Sequence, residues 1–257
     1  MPADSAASAG FVDQWLQREP AFVQASLFVA RDQRSLFAHW GALLFCLREA
    51  AFELSDPTLR LAKSSWWAQE LLAIGEAQAR HPLTQVLMTH PDAPWAELSA
   101  ALLQAAGNGD PSPHDACDAL VQMQSLAAAM VGVEVALLGG VASTSATRLA
   151  AIHLLTQRLR VGQSADDAGR VPLQQLARHQ VSRSAIRAGK AAAAVAAHAH
   201  ELRLLAPADS AAAPLFRRLQ WVLDRDFLGC LAAGKAPQRK PGMRSLWQLW
   251  CAARGTR

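Results

Sequence analysis

Apolar residues recur at intervals of three and four from Ser35 to Leu54, at Leu36, Trp40, Leu43, Leu44, Leu47, Ala51 and Leu54. That spacing draws one apolar stripe along a helix and predicts a buried, core-lining helix there. The same periodicity predicts helices over 57–78, 94–106, 114–138, 145–161, 172–179, 182–205, 214–233 and 245–253, with a short one ending near His90. Asp56 and Pro57 fit the N-cap and first position of the second of these. Alanine makes up about a fifth of the chain, tyrosine is absent and β-branched residues are sparse, so sheets are poorly supplied. The expectation is an all-α single domain spanning 1–257, with residues 1–10 disordered and a basic loop at 235–244 before the last helix.

Several classes fall away. MPADSAASAG has neither a basic n-region nor an apolar h-region, so no secretory signal is expected at the start of this sequence. The longest apolar stretch, Leu126 to Ala142, is interrupted by Glu134 and falls short of the roughly 20 residues a membrane span needs. Cys46, Cys117, Cys230 and Cys251 lie far apart with no CxxC pair, which argues against a zinc knuckle or a disulfide framework and for buried thiols in a reducing cytoplasm. No GxGxxG, GxxxxGK[ST], GxSxG or HExxH is present, and His198 and His200 are two apart, on different sides of a helix. The net charge of +4 is local in origin: residues 215–257 hold nine Lys or Arg against two Asp, a sum of +7, leaving −3 for residues 1–214. A basic tail carrying Trp221, Trp247 and Trp250 suits a peripheral membrane contact, and the same Leu and Trp spacing suits a docked final helix. No basic and aromatic motif of a known nucleic-acid module supports nucleic-acid binding.

Five segments then come in order: RSLFAHWGALLFCLREAAFEL at 34–54, SSWWAQEL at 64–71, HPLTQVL at 81–87, MVGVEVALLGG at 130–140 and HLLTQRLRVGQSADDAGRV at 153–171. By their order and spacing the chain resembles the squalene/phytoene synthase family, over roughly Phe22 to Leu249. The resemblance implies an isoprenoid-synthase-type helical bundle around a central apolar cavity. In that family two DxxxD motifs on facing helices hold Mg²⁺ ions that bridge the diphosphates of two prenyl chains, and the metal neutralises the leaving group.

This chain departs from the pattern at those positions. The first motif, approximately FCRxxDDxxD in the family, reads FCLREAAFEL, which places Ala50, Ala51 and Leu54 at the aspartate positions. The second, approximately LTNxLRDxxxDxxRGRxYLP, reads LLTQRLRVGQSADDAGRVPL, with Val161 and Ala165 at the aspartates and Gln157 at the asparagine. These five, Ala50, Ala51, Leu54, Val161 and Ala165, are expected to line the cavity. Glu49 and Glu53 are four apart and are weak metal candidates, turned about 100° from the matched positions. Arg34, Arg160 and Arg170 match basic positions that face diphosphate in the family, and Arg48 and Arg158 lie nearby. The five arginines are a candidate anion or diphosphate site, with pairing to neighbouring acids as the alternative. The expectation is thus a non-catalytic, cofactor-free relative that binds an isoprenoid or lipid ligand, or a protein partner as the family's assembly-factor members do. The alternative is an active, Mg²⁺-dependent prenyltransferase of terpenoid or carotenoid biosynthesis. The expected location is cytoplasmic, with membrane association through the C-terminal segment.

Overall fold

The computed structural model describes residues 19–108, 112–161, 170–236 and 242–255, together with 10, 12, 13 and 15–17. Among these there is no strand. The helices are α1 (Pro20–Ser26), α2 (Arg34–Arg48), α3 (Pro57–Gly75), α4 (Pro82–Gln85), α5 (Trp95–Gly107), α6 (Ala116–Leu138), α7 (Thr144–Val161), α8 (Leu173–Arg178), α9 (Arg183–Arg187), α10 (Ala192–Leu204), α11 (Leu215–Ala232) and α12 (Met243–Arg254). Helix α3 packs along α5, α6 along α7, and α11 against α7, α10 and α12.

Local chemistry explains most boundaries. Asp56 accepts from the Thr58 and Leu59 amides ahead of Pro57 and starts α3 as predicted. Asp115 caps α6 in the same way through the Asp118 amide. Helix α3 stops at Gly75, short of 78, because Ala77 turns to φ 55° and the Gln78 amide closes back on the Ala73 carbonyl.

Other expected boundaries differ as well. The helix expected over 182–205 is two, α9 and α10, because Gly189 adopts φ 69° and the Lys190 amide closes on the Ala185 carbonyl. The basic loop expected at 235–244 ends at Gly242, since α12 already begins at Met243. Residues 1–9, for which disorder is expected, lie outside the described residues, and Gly10 is helical.

The helix expected over 35–54 is α-helical only to Arg48 and continues as a π-turn over Glu49–Glu53. The apolar pattern persists through the π-turn, so periodicity does not reveal it. Helix α6 is, among the described residues, long and apolar enough to cross a membrane by length and composition, yet half of its most apolar window is buried in the interior. It is the core helix, and Glu134 within it meets Arg217 of α11.

Candidate functional site

Helices α2 and α7 set Arg48 opposite Gln157. The Arg48 guanidinium donates through Nη1 to the Gln157 side-chain oxygen at 2.8 Å and through Nε to Glu53 at 2.7 Å. The second bond depends on the π-turn. On an α-helix residues five apart point about 140° away from each other, whereas a π-turn closes i to i+5 and brings them to one side. Glu49 pairs instead with Lys63 of α3 at 2.8 Å. The two glutamates weighed as metal ligands therefore face different cations, and no group of three or more metal-ligating side chains occurs among the described residues.

The other arginines do not gather on one anion. Arg34 donates to the Val29 and Leu27 carbonyls at 3.0 Å each, closing the turn between α1 and α2. Arg160 pairs with Glu19 at 3.1 Å and lies over the Phe227 ring. Arg170 donates to the Leu159 carbonyl at 3.1 Å. Arg158, on another side of α7, lies over Phe52, and its charge reaches His198. Burial first, and that charge second, hold the His198 imidazole down at about 4.

Arg48 and Arg160 do share one cavity, of about 30 Å³. Its polar wall is Glu19, Arg48, His153, Gln157, Arg160 and Gln220. This volume suits one or two waters, against ~300 Å³ for even a small ligand pocket. Ala50 and Ala51 are buried and Leu54 is half-buried, but none of them lines this cavity. Val161 ends α7, and Ala165 lies outside the described residues.

Aromatic rings fill the space beside it. Phe22 stacks on Phe37 with centroids 4.8 Å apart, Trp15 meets Phe22 edge-on at 4.7 Å, and Phe216 closes on Phe37 at 5.0 Å. Gly41 makes this possible. A Cβ there would come within 2.6 Å of Trp15 Cη2 and 2.7 Å of Phe22 Cζ. The interior of α2 gives up a side chain so that two rings from the N-terminal stretch can enter.

Sequence reasoning missed one polar pair at the cavity wall. His153 Nδ1 lies 2.8 Å from Asp224, whose other oxygen accepts from Gln220 at 3.1 Å. Burial lowers the His153 pKa, outweighing the neighbouring carboxylate. The signal available was Asp224 on the apolar side of α11, next to Leu223 and ahead of Arg225 and Asp226, but its partner is 71 residues away.

Trp67 and the HPLT segment hold the fold together. Trp67 is buried, and Trp66, on another side of α3, is exposed at 46%. Glu70 accepts from the Arg80 amide at 2.8 Å, the His81 amide at 2.7 Å and Thr84 Oγ1 at 2.5 Å, which fixes the start of α4.

No protein-family model matches the chain, and no curated protein matches it. Solved structures do. A dehydrosqualene synthase in complex with ligand is similar at TM-score 0.64 and 14% identity, covering 98% of this chain and 97% of that one. The squalene synthase HpnC from Alicyclobacillus acidocaldarius is similar at TM-score 0.58 and 18% identity, covering 92% and 96%. The chain has the all-α fold of the squalene and dehydrosqualene synthases over nearly its whole length.

Proposed function

We propose that this protein is a non-catalytic member of the squalene/phytoene synthase family that works through a protein partner, in the manner of an assembly factor. The observation that carries the reading lies among the described residues: a 30 Å³ cavity walled by Trp15, Phe22 and Phe216, with Arg48 held by Glu53 and Gln157. Head-to-head condensation needs room for two hydrocarbon chains and carboxylates to hold Mg²⁺. Apolar residues stand at the matched motif positions Ala50, Ala51, Leu54, Val161 and Ala165.

The outer face of α3 supports the choice of a partner over an enclosed ligand. Leu59, Leu61, Trp66 and Leu72 are exposed along it, accompanied by Ala62 and Gln69, and the one charge that reaches solvent between Leu61 and Gly75 is Lys63, tied to Glu49. Exposed apolar faces of this kind are a mark of protein contact. A cytoplasmic location belongs to the same reading.

Incubation with farnesyl or geranylgeranyl diphosphate and Mg²⁺ tests it. The expected result is no pyrophosphate, squalene or phytoene, and no thermal stabilisation by either diphosphate. Turnover overturns the reading in favour of a Mg²⁺-dependent prenyltransferase. Stabilisation without metal, abolished by the joint change Arg48→Glu and Arg160→Glu, overturns it in favour of an isoprenoid-binding protein.

A further inference from the structure

We propose that α12 docks this protein on an anionic membrane surface, with Met243 and Trp247 entering the headgroup region and Arg244 and Arg254 meeting lipid phosphates. The helix has two apolar sides. Leu246, Leu249 and Ala253 face inward, and Leu249 is fully buried as α12 packs along α11. The outward side carries Met243 at 84% exposure and Trp247 at 62%, the most exposed large apolar residue and the most exposed tryptophan among the described residues. Trp247 stacks on Trp250 with centroids 4.7 Å apart, and the Arg254 guanidinium lies 4.1 Å over the Trp250 ring.

Burial inside the protein accounts for the inner stripe and leaves the outer one unexplained. A soluble helix ordinarily turns charge outward; this one turns out a methionine, a tryptophan pair and two arginines, and holds no acid. Aromatic rings flanked by arginines are the composition of interfacial helices. The arginine stems lie along apolar surface while their heads reach phosphate.

Charge selects the lipid. Within residues 215–257 one charge of each sign is buried, Asp224 against His153 and Arg217 against Glu134, so the remaining residues still carry the segment's sum of +7. Arg244 is exposed in the first turn of the helix, and Lys235 is exposed just past the end of α11. Anionic leaflets attract such residues over a Debye length. An exposed methionine beside the tryptophan pair favours a lipid interface over a nucleic-acid backbone, which offers neither ring an apolar bed. The helix is already folded on α11, so docking carries no ordering cost for the segment.

Vesicle flotation of the full chain tests this proposal independently of the protein-partner reading. The protein is expected to float with phosphatidylcholine vesicles containing phosphatidylglycerol, to stay behind with phosphatidylcholine alone, and to be released by high salt. The joint change Arg244→Glu and Arg254→Glu should weaken binding about tenfold or more. Met243→Ser with Trp247→Ser should weaken it comparably at an unchanged melting temperature, since both side chains are exposed. Brominated acyl chains should quench tryptophan emission of the parent and not of Trp247→Phe. Equal flotation with neutral vesicles, full binding by either double variant, or tighter Arg244-dependent binding to duplex DNA or to an acidic protein would each overturn the proposal.

Discussion

Glu134 and Arg217, separated by 83 residues, face each other with both side chains at 0% exposure. Arg217 donates through Nε to one carboxylate oxygen at 3.2 Å and through Nη2 to the other, which also accepts from the Trp40 indole at 3.2 Å. Glu134→Gln or Arg217→Met alone should therefore cost about 3–5 kcal/mol, because each leaves a buried group uncompensated. The joint change Glu134→Leu and Arg217→Met should recover much of that. Urea unfolding of the three variants measures it, and single variants within about 1 kcal/mol of the parent would contradict the account.

Gly41→Ala should destabilise by about 1–3 kcal/mol, since its methyl meets packed rings. Pairing it with Phe22→Leu should cost less than the sum of the two single changes, because the smaller side chain makes room. Strict additivity in the cycle would mean that residues 22 and 41 do not compete for space.

Arg48→Met removes the donor to Gln157 and Glu53. The loss should be about 1–3 kcal/mol, with part of it shared with Glu53→Gln in a double-mutant cycle. Since Glu53 is partly exposed, its share is the smaller one. Thermal or urea unfolding supplies the numbers, and a null cycle would show that the π-turn pair carries no weight.

Acid should weaken the fold through His198. Its folded pKa of about 4 lies below the ordinary 6.5, so the unfolded chain takes up the proton first as pH falls. The contribution is complete above pH ~6.5 and drains towards pH ~4, reaching about 2 kcal/mol lost near pH ~5. His39, His81 and His153 are lowered too and add in the same direction. Unfolding free energies collected across this range should fall, and His198→Leu should flatten the profile; an unchanged slope in that variant would reject the assignment.

Thiol chemistry should separate the cysteines. Burial, then the nearby Glu49 charge, push the Cys46 thiol up to about 12, while Cys117 is exposed. A disulfide reagent at mildly alkaline pH should titrate Cys117 first and reach Cys46 only on unfolding. Early labelling of Cys46, read by peptide mass, would contradict the burial.

The spacing of apolar residues made most helices legible, because α5 and α11 bury one side and alternate with polar residues at the helical period, while α2 and α7 are buried nearly all round and were legible by the length of their apolar runs. Asp56 with Pro57 was legible as a start because capping is a local event, whereas the cap at Asp115 was not read and that helix was expected from 114. The split at Gly189 was obscured by the alanine run that follows it, whose high helix propensity continues the pattern on paper. That the matched motif positions carry no aspartate was legible in the sequence. The pairing of the arginines was not, because Arg48 meets Gln157 across 109 residues and Arg160 meets Glu19 across 141. The inward turn of Trp15 and Phe22 depends on a missing side chain in another helix, a relation no single window of sequence contains.

That missing side chain makes the N-terminal stretch a wall of the interior. A chain shortened past Trp15, or a fusion that pulls residues 12–22 outward, would uncover a hollow bounded by Phe37, Trp40 and Phe216. For anyone handling this protein, the N-terminal boundary of an expressed form decides whether that hollow is sealed or open.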